Sequence, residues 1–390
     1  MRQELKNAVS DLDDVVNLLQ NSFVAKDEII EMLAISAIAQ EHLLLAGPPG
    51  TGKSEIIKRF AQLCTAPEAQ ADELTKPYFE YLLTRFTEPN ELFGPVDIKS
   101  FRDGAGYHRI CAGMLPRAEV VFLDEIFKAN SAILNALLTI LNERTFYNGG
   151  RLEPVPLLLL VGATNEISED SDLAALYDRF PVRLWSDNIP DFHFDRLLAR
   201  GWQQECLKIR EGHQINLSNI TDSNALKSLH QALNEVDFNA VFHSYREVIR
   251  RIRAEGIIVS DRRAVKLLKL VGASAIRQGR LKAEVEDFRV LRHIWNNRAQ
   301  ASVLDELLQP YLSGKGAAVK TLEREPEVLN GELIQLENRA VNLQGDIDLA
   351  DFLHQCERLR RELYGHSQVE SCTAVLEKLE KLISKTLENL

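Results

Sequence analysis

The sequence predicts an α/β fold, a parallel sheet flanked by helices, followed by an all-helical region. Three observations predict it. Short, wholly apolar runs recur through the first half, as strands buried on both faces require. Segments of helical period separate several of these runs. After about residue 191 no such run returns, and helical patterns alone continue.

The elements follow in order. Val9, Leu12, Val15, Val16 and Leu19 recur at helical spacing, and a second helix is expected over residues 26–40 with Ile29, Ile30, Leu33, Ile35 and Ala37 on its apolar side. The period then changes at Leu43-Leu44-Leu45-Ala46, which runs into a Gly/Pro cluster. Further strand-like runs lie at 78–83, 120–123, 157–162 and 182–185, with helices expected over 54–64 and 129–142. Two insertions read as hairpins. One is 94–116, where Asp103-Gly104-Ala105-Gly106 separates Ile98 and Phe101 from Tyr107 and Ile110. The other is 144–156, with Asn148-Gly149-Gly150 at its tip.

Helices are expected over 225–236, 242–254, 262–279 and 285–295, and Ser313-Gly314-Lys315-Gly316 reads as a break. Beyond it, Leu329, Leu333, Leu336, Ala340 and Leu343 keep a 4-3-4-3 spacing. Phe352, Cys356, Leu359 and Leu363 continue it, as do Leu376, Leu379, Ile383, Leu387 and Leu390. Such seams suit a helical hairpin or short coiled coil, and equally an internal helical core. The expected division is therefore 1–190, an α/β domain, 191–312, a helical lid, and 313–390, a C-terminal helical region.

Bulk composition narrows the function. Acidic residues outnumber basic ones, 57 to 46, for a net charge of −11 over 390 residues. That balance argues against non-specific binding to nucleic acid or an anionic membrane. The five cysteines form no CxxC pair, which argues against a zinc ribbon or a disulfide framework. The N-terminal stretch is charged and amphipathic, and the longest apolar run, 155–163, is broken by Pro156. The expectation is a cytoplasmic protein without stable membrane insertion.

Residues 47–54, Gly-Pro-Pro-Gly-Thr-Gly-Lys-Ser, match GxxxxGK[ST] in full between an expected strand and an expected helix. Glycines let backbone N–H groups curl around phosphate oxygens, and the helix N-terminus adds positive potential. Lys53 suits the β- and γ-phosphates and Ser54 a Mg²⁺ ion. Backbone groups of Pro49, Gly50, Thr51, Gly52, Lys53, Ser54 and Glu55 form the expected cradle. The second signature is Val120-Val121-Phe122-Leu123-Asp124-Glu125, an apolar strand that delivers two carboxylates at its C-terminal end, where open α/β sheets bind ligands. Asp124 suits the metal's water shell, and Glu125 suits a general base that polarises the attacking water.

GPPGTGKS together with FLDEI resembles the AAA+ superfamily. The stretch between them narrows this: Tyr81-Leu82-Leu83-Thr84-Arg85-Phe86-Thr87, Glu91-Leu92-Phe93-Gly94-Pro95 and Gly113-Met114-Leu115-Pro116 resemble the MoxR family of AAA+ ATPases. Residues 124–129, 141–144 and 175–180 look like its RavA-like subfamily, over about residues 15–300. The resemblance implies an AAA+ P-loop sheet with hairpin inserts, an all-helical lid, ATP and Mg²⁺ as ligands, and assembly into a ring, usually a hexamer. It implies that Asn165 is sensor 1, that Arg179 is an arginine finger reaching a neighbouring subunit, and that Arg262, with Arg263 as competitor, is sensor 2. It implies that Phe23 and Val24 pack on adenine, and that the inserts face a pore or client. Arg102, Lys128 and Arg144 sit near the motifs with no role assigned.

The purpose implied is remodelling, assembly or activation of a protein client, with a von Willebrand factor A-domain protein as the typical partner. Two alternatives stand beside it. A DNA-translocating motor shares the insert pattern, but no basic stripe with interleaved aromatics is present. A nucleotide-dependent scaffold is opposed by the intact Lys53, Asp124, Glu125 and Asn165. RavA-type chains often continue into a β-rich domain; here the last ninety or so residues carry no strand runs.

Overall fold

The structure is a computed structural model. It describes residues 2–65, 76–102, 106–166, 174–211 and 219–312, together with residues 333, 334, 336, 340, 352, 356, 375, 376 and 378–382. By packing, residues 1–316 form one unit and 317–390 another.

The first unit opens with α1 (Gln3–Ser22), which buries the predicted stripe from Val9 to Leu19 and extends it back to Leu5 and Ala8. Helix α2 (Asp27–Ala39) follows and is buried almost all round, so it lies within the fold rather than on it. Strand β1 (Leu43–Ala46) and helix α3 (Lys53–Cys64) flank the Gly-rich loop. Then come β2 (Lys76–Leu82), the short α4 (Pro89–Phe93) and α5 (Ile98–Arg102), β3 (Ala118–Asp124) and α6 (Ser131–Glu143). Strands β4 (Thr145–Asn148) and β5 (Arg151–Pro154) precede β6 (Leu159–Thr164), α7 (Ala174–Tyr177) and β7 (Val182–Trp185).

Five strands form a parallel sheet in the order β2-β3-β6-β1-β7. β1, β3 and β6 are buried along almost their whole length, which is why they read as unbroken apolar runs. The register sets Ala46 opposite both Thr164 and Trp185, so the carboxyl ends of β1, β6 and β7 share one edge. The run expected over 157–162 is displaced: Leu157 and Leu158 are buried ahead of β6, and Leu158 N–H already donates to Glu119 O (2.7 Å).

The second insertion is the predicted hairpin, β4 paired antiparallel with β5. The first is not a strand hairpin. One limb carries the helix α5, and among the described residues the limbs meet through a single antiparallel bridge, Val96 with Arg109. Asp103, Gly104 and Ala105 lie outside the described residues. Asn148 joins the two insertions: its Oδ1 accepts from Arg109 N–H (2.7 Å), and its Nδ2 donates to Arg109 O (3.3 Å) and Glu153 Oε1 (3.1 Å).

The helical region comprises α8 (Phe194–Glu211), α9 (Ser223–Gln231), α10 (Phe242–Ala254), α11 (Asp261–Arg277) and α12 (Ala299–Leu312). The segment expected as a helix over 285–295 is a 3-10 helix, Val285–His293. Helix α11 packs on α2, and α9 packs on α1 and α2. Lys266 and Lys269 of α11 both bind the buried Glu41 carboxylate (2.8 and 3.0 Å), which sits between α2 and β1. Among the described residues, no helix is long and apolar enough to cross a membrane.

In the second unit, Leu333, Leu336, Phe352, Cys356, Val375 and Leu379 form an apolar core, with Ala340 and Leu376 packed against it. These include seam positions read from the sequence. The remaining seam positions and the break at 313–316 lie outside the described residues.

Candidate nucleotide site

The Gly-rich loop is pinned at its start from both sides. Gly47 N–H donates to Thr164 O (3.0 Å) of β6, and Ser186 N–H, just past β7, donates to Ala46 O (2.7 Å). Gly47 has φ +139°, and a Cβ there would lie 2.4 Å from Ser186 O, so only glycine lets the two backbones approach this closely. Gly50 and Gly52 differ in kind: a Cβ on either would meet open space, and positive φ alone demands glycine.

Lys53 opens α3 and is buried, its ammonium donating to Gly47 O and Pro48 O, each at 2.8 Å. Burial lowers its pKa from the ordinary lysine value, while Asp124 and Glu125 lie close enough to oppose that shift. The predicted lysine and acidic pair are thus brought to one place. A cation desolvated among carbonyls, beside the first N–H groups of a helix, fits a phosphate chain. The exposed hydroxyl of Ser54 and the partly exposed carboxylate of Asp124 are oxygen donors of the type Mg²⁺ takes. Among the described residues, no cluster of three or more metal-ligating side chains occurs, so metal would depend on phosphate oxygens as well.

Glu125 sits in the left-handed region at φ 54°, a conformation costly for a side chain with a Cβ and concentrated at functional sites. The turn directs its carboxylate toward β6. There Asn165 Nδ2 donates to Glu125 Oε1, and Lys128 Nζ lies 3.4 Å from Oε2. Asp124 Oδ1 accepts from Glu125 N–H (3.0 Å). Lys128, to which the sequence assigned nothing, is therefore part of the site's charge.

Phe23 caps α1, and the Arg59 guanidinium lies 5.2 Å from its ring centroid, while Val24 is buried. Glu55 directs its carboxylate to Arg59 (2.7 Å), so its contribution to a phosphate cradle can come only from its backbone. Two neighbours escaped the sequence. Lys26 is buried and donates to Ser186 Oγ (3.1 Å) and Asp187 O (2.8 Å), and Ser186 Oγ donates to Thr51 Oγ1 (3.1 Å). A lysine just before a helix and a serine just after a strand carry no local signal; only the β1–β7 pairing places them behind the loop.

The remaining predicted residues stand elsewhere. Arg179 pairs with Asp178 (3.0 Å), and Ser260 Oγ donates to the same carboxylate (3.2 Å). Arg262 donates to Asn142 Oδ1 (2.8 Å). Burial lowers the pKa of Arg179, and the neighbouring Arg262 charge adds to that effect. The two arginines are therefore close to each other, and among the described residues neither bonds to the Gly-rich loop. Arg263 is only 2% exposed and bonded to backbone carbonyls, so it presents no guanidinium outward.

A P-loop at the carboxyl end of β1 in a parallel sheet of this order, an acidic pair at the carboxyl end of β3 with β6 between them, and a following helical lid define the AAA+ class of ATPases. Residues 10–239 match the sequence-family model described as the MoxR domain in the MoxR-vWA-beta-propeller ternary systems, and residues 225–308 match an AAA lid domain. The chain belongs to the MoxR family of AAA+ ATPases. Two uncharacterized proteins of Methanocaldococcus jannaschii are similar to it. One is 36% identical over 284 residues, covering 73% of this chain and 70% of that protein. The other is 37% identical over 286 residues, covering 73% and 71%. The chaperone MoxR1 of Mycobacterium tuberculosis is 25% identical over 180 residues, 45% of this chain and 44% of that one. A crystal structure of a putative ATPase from Cytophaga hutchinsonii superposes with TM-score 0.61 at 17% identity, covering 79% of this chain and 96% of that one, a likeness of fold.

Proposed function

We propose that this chain hydrolyses ATP with Mg²⁺ and works as a ring, expected to be a hexamer, that remodels or activates a protein client in the cytoplasm. Gly47–Gly52 backbone groups and Lys53 hold the phosphates; Ser54 and Asp124 hold the metal, which when bound neutralises phosphate charge. Glu125 accepts the proton of the attacking water, and the Asn165 amide orients it. Arg179 and Arg262 serve the nucleotide of the adjacent subunit, where guanidinium groups offset charge developing on the transferred phosphoryl group. Phe23 and Val24 border the adenine. The helices 191–312 act as a lid over the 1–190 domain, with 313–390 a separate helical unit.

The observation that carries the ring is the pairing of Arg179 with Asp178, away from the P-loop, beside Arg262. On this reading the site is completed by a second copy. A protein client, with a von Willebrand factor A-domain protein as partner, is supported by the name of the matching family model and by the net charge of −11. The test is the specific ATPase rate against protein concentration, with Arg179→Ala protein mixed into wild type. The ring reading expects a rate that rises with concentration and falls more than in proportion to the variant added. A rate indifferent to both would sink it. Stimulation by DNA that collapses with added salt would favour a DNA motor instead.

A further inference from the structure

Beside Arg179 lie two arginines, Arg183 and Arg263, each only 2% exposed. Arg183 donates from Nε to Phe180 O (3.2 Å) and from Nη2 to Tyr177 O (2.9 Å), and its Nη1 donates to Trp295 O (2.7 Å) and Asn296 Oδ1 (2.6 Å). Arg263 donates from Nη2 to Pro181 O (3.3 Å) and Ile294 O (2.7 Å), and from Nη1 to Ile258 O (3.2 Å) and the same Asn296 Oδ1 (3.0 Å). Among the described residues, no carboxylate bonds either one. Two like charges are buried side by side, bonded to six backbone carbonyls and one amide oxygen, with the Asp178 carboxylate near enough to act on both.

What the bonds join is specific. On one side is the 177–181 segment, whose carbonyls at 177, 180 and 181 are all taken and which carries the half-buried Arg179 paired with Asp178. On the other are residues 294–296 and the start of α11, which carries Arg262. Among the described residues, Asn296 Oδ1 is the one atom both guanidinium groups share. Tyr177 also stacks on Phe127 (centroids 4.3 Å apart), two residues beyond Glu125, so the segment touches its own subunit's acidic turn as well.

We propose that Arg183, Arg263 and Asn296 form a positioning node that fixes Arg179 and Arg262 relative to one another, so that both enter the neighbouring subunit's site as one unit and follow the helical lid when it moves. This rests on the reading that Arg179 acts across subunits. The node residues touch no nucleotide; they act through Arg179.

The test is asymmetric complementation in the full-length chain. Donor subunits carry Glu125→Gln, keeping Arg179 but losing the base; acceptor subunits carry Arg179→Ala and keep Glu125. Each alone is expected to be nearly inactive, and an equal mixture is expected to regain ATPase activity. Asn296→Ala is then placed in one partner at a time. In the donor it is expected to cut the regained rate about tenfold, since a misplacement of about 1 Å is costly; in the acceptor it is expected to change the rate by less than about twofold. Asn296→Asp, which keeps an oxygen between the two guanidinium groups, is expected to restore the donor. Equal loss in both partners would mean a general packing role, and no loss in either would mean no role; both overturn the node, as does an Asn296→Asp donor no better than Asn296→Ala. A parental mixture that regains no activity would overturn the trans reading, and this inference with it.

Discussion

Asn165 donates its side-chain amide to Glu125 Oε1, and in doing so joins the ends of β6 and β3 at one point beside Lys53. The carboxylate's other oxygen faces Lys128. In the proposed reaction, water shares this carboxylate. Glu125→Gln is expected to lower kcat by about 10²–10⁴, the usual worth of a general base, while ATP still raises the thermal midpoint. Asn165→Ala is expected to cost less. Steady-state ATPase rates with thermal shifts check this, and a Glu125→Gln protein that turns over like wild type would show that the base lies elsewhere.

Gly47 and Gly50 make opposite demands on their surroundings. Gly47→Ala drives a Cβ into Ser186 O as well as keeping a positive φ, so it is expected to destabilise the fold by about 2–4 kcal/mol. Gly50→Ala meets open space and is expected to cost only about 1–2 kcal/mol, the left-handed penalty alone. Urea denaturation of the two variants should rank them in that order; equal costs would mean the Ser186 contact relaxes freely.

Asn148 is the polar link between the two insertions. Asn148→Ala leaves the Arg109 N–H without its acceptor, at a cost of about 1–3 kcal/mol. Hydrogen exchange is expected to rise together in 106–112 and 145–154 while the sheet stays protected. Faster exchange in one insertion alone would show that the two move separately.

His293 should make the protein acid-sensitive. Burial lowers its pKa to about 4, and the nearby Arg292 charge adds to that. Glu28 lies 3.4 Å away, but its side chain is 59% exposed, so water screens the attraction and burial prevails. The unfolded chain takes up this proton first as pH falls below about 6.5. Stability from the neutral ring is therefore complete above about pH 6.5 and lost progressively down to about pH 4, by about 3 kcal/mol. His293→Gln is expected to flatten that limb in urea midpoints measured from pH 7 to 4; an unchanged acid limb would assign it to carboxylates.

Much of this was legible in the chain because the signals were local. A strand buried on both faces must be apolar along nearly its whole length, so β1, β3 and β6 announced themselves, and a loop that wraps phosphate needs glycines at fixed intervals. Val182–Trp185 and Phe242–Ala254 fall at the expected bounds. Where competing patterns coexist, the reading slipped. Ile98 and Phe101 are spaced by three, which suits one helical turn as well as a strand limb, and α5 is what forms.

The sequence by itself determined that a Gly-rich loop, Lys53, Asp124 and Glu125 stand where a strand meets a helix or ends, because backbone conformation and burial period are properties of a few consecutive residues. Only the tertiary structure decided what each neighbour does. Arg262 and Arg263 are adjacent in the chain, yet successive helical positions point about 100° apart, so one faces outward to Asn142 and the other is sealed among carbonyls from 181, 258 and 294. Lys26 and Ser186 likewise acquire their contacts from partners more than a hundred residues away, and Asn296, itself more than a hundred residues from Arg183, joins it to Arg263, through bonds that exist only once the sheet order and the helix docking are set.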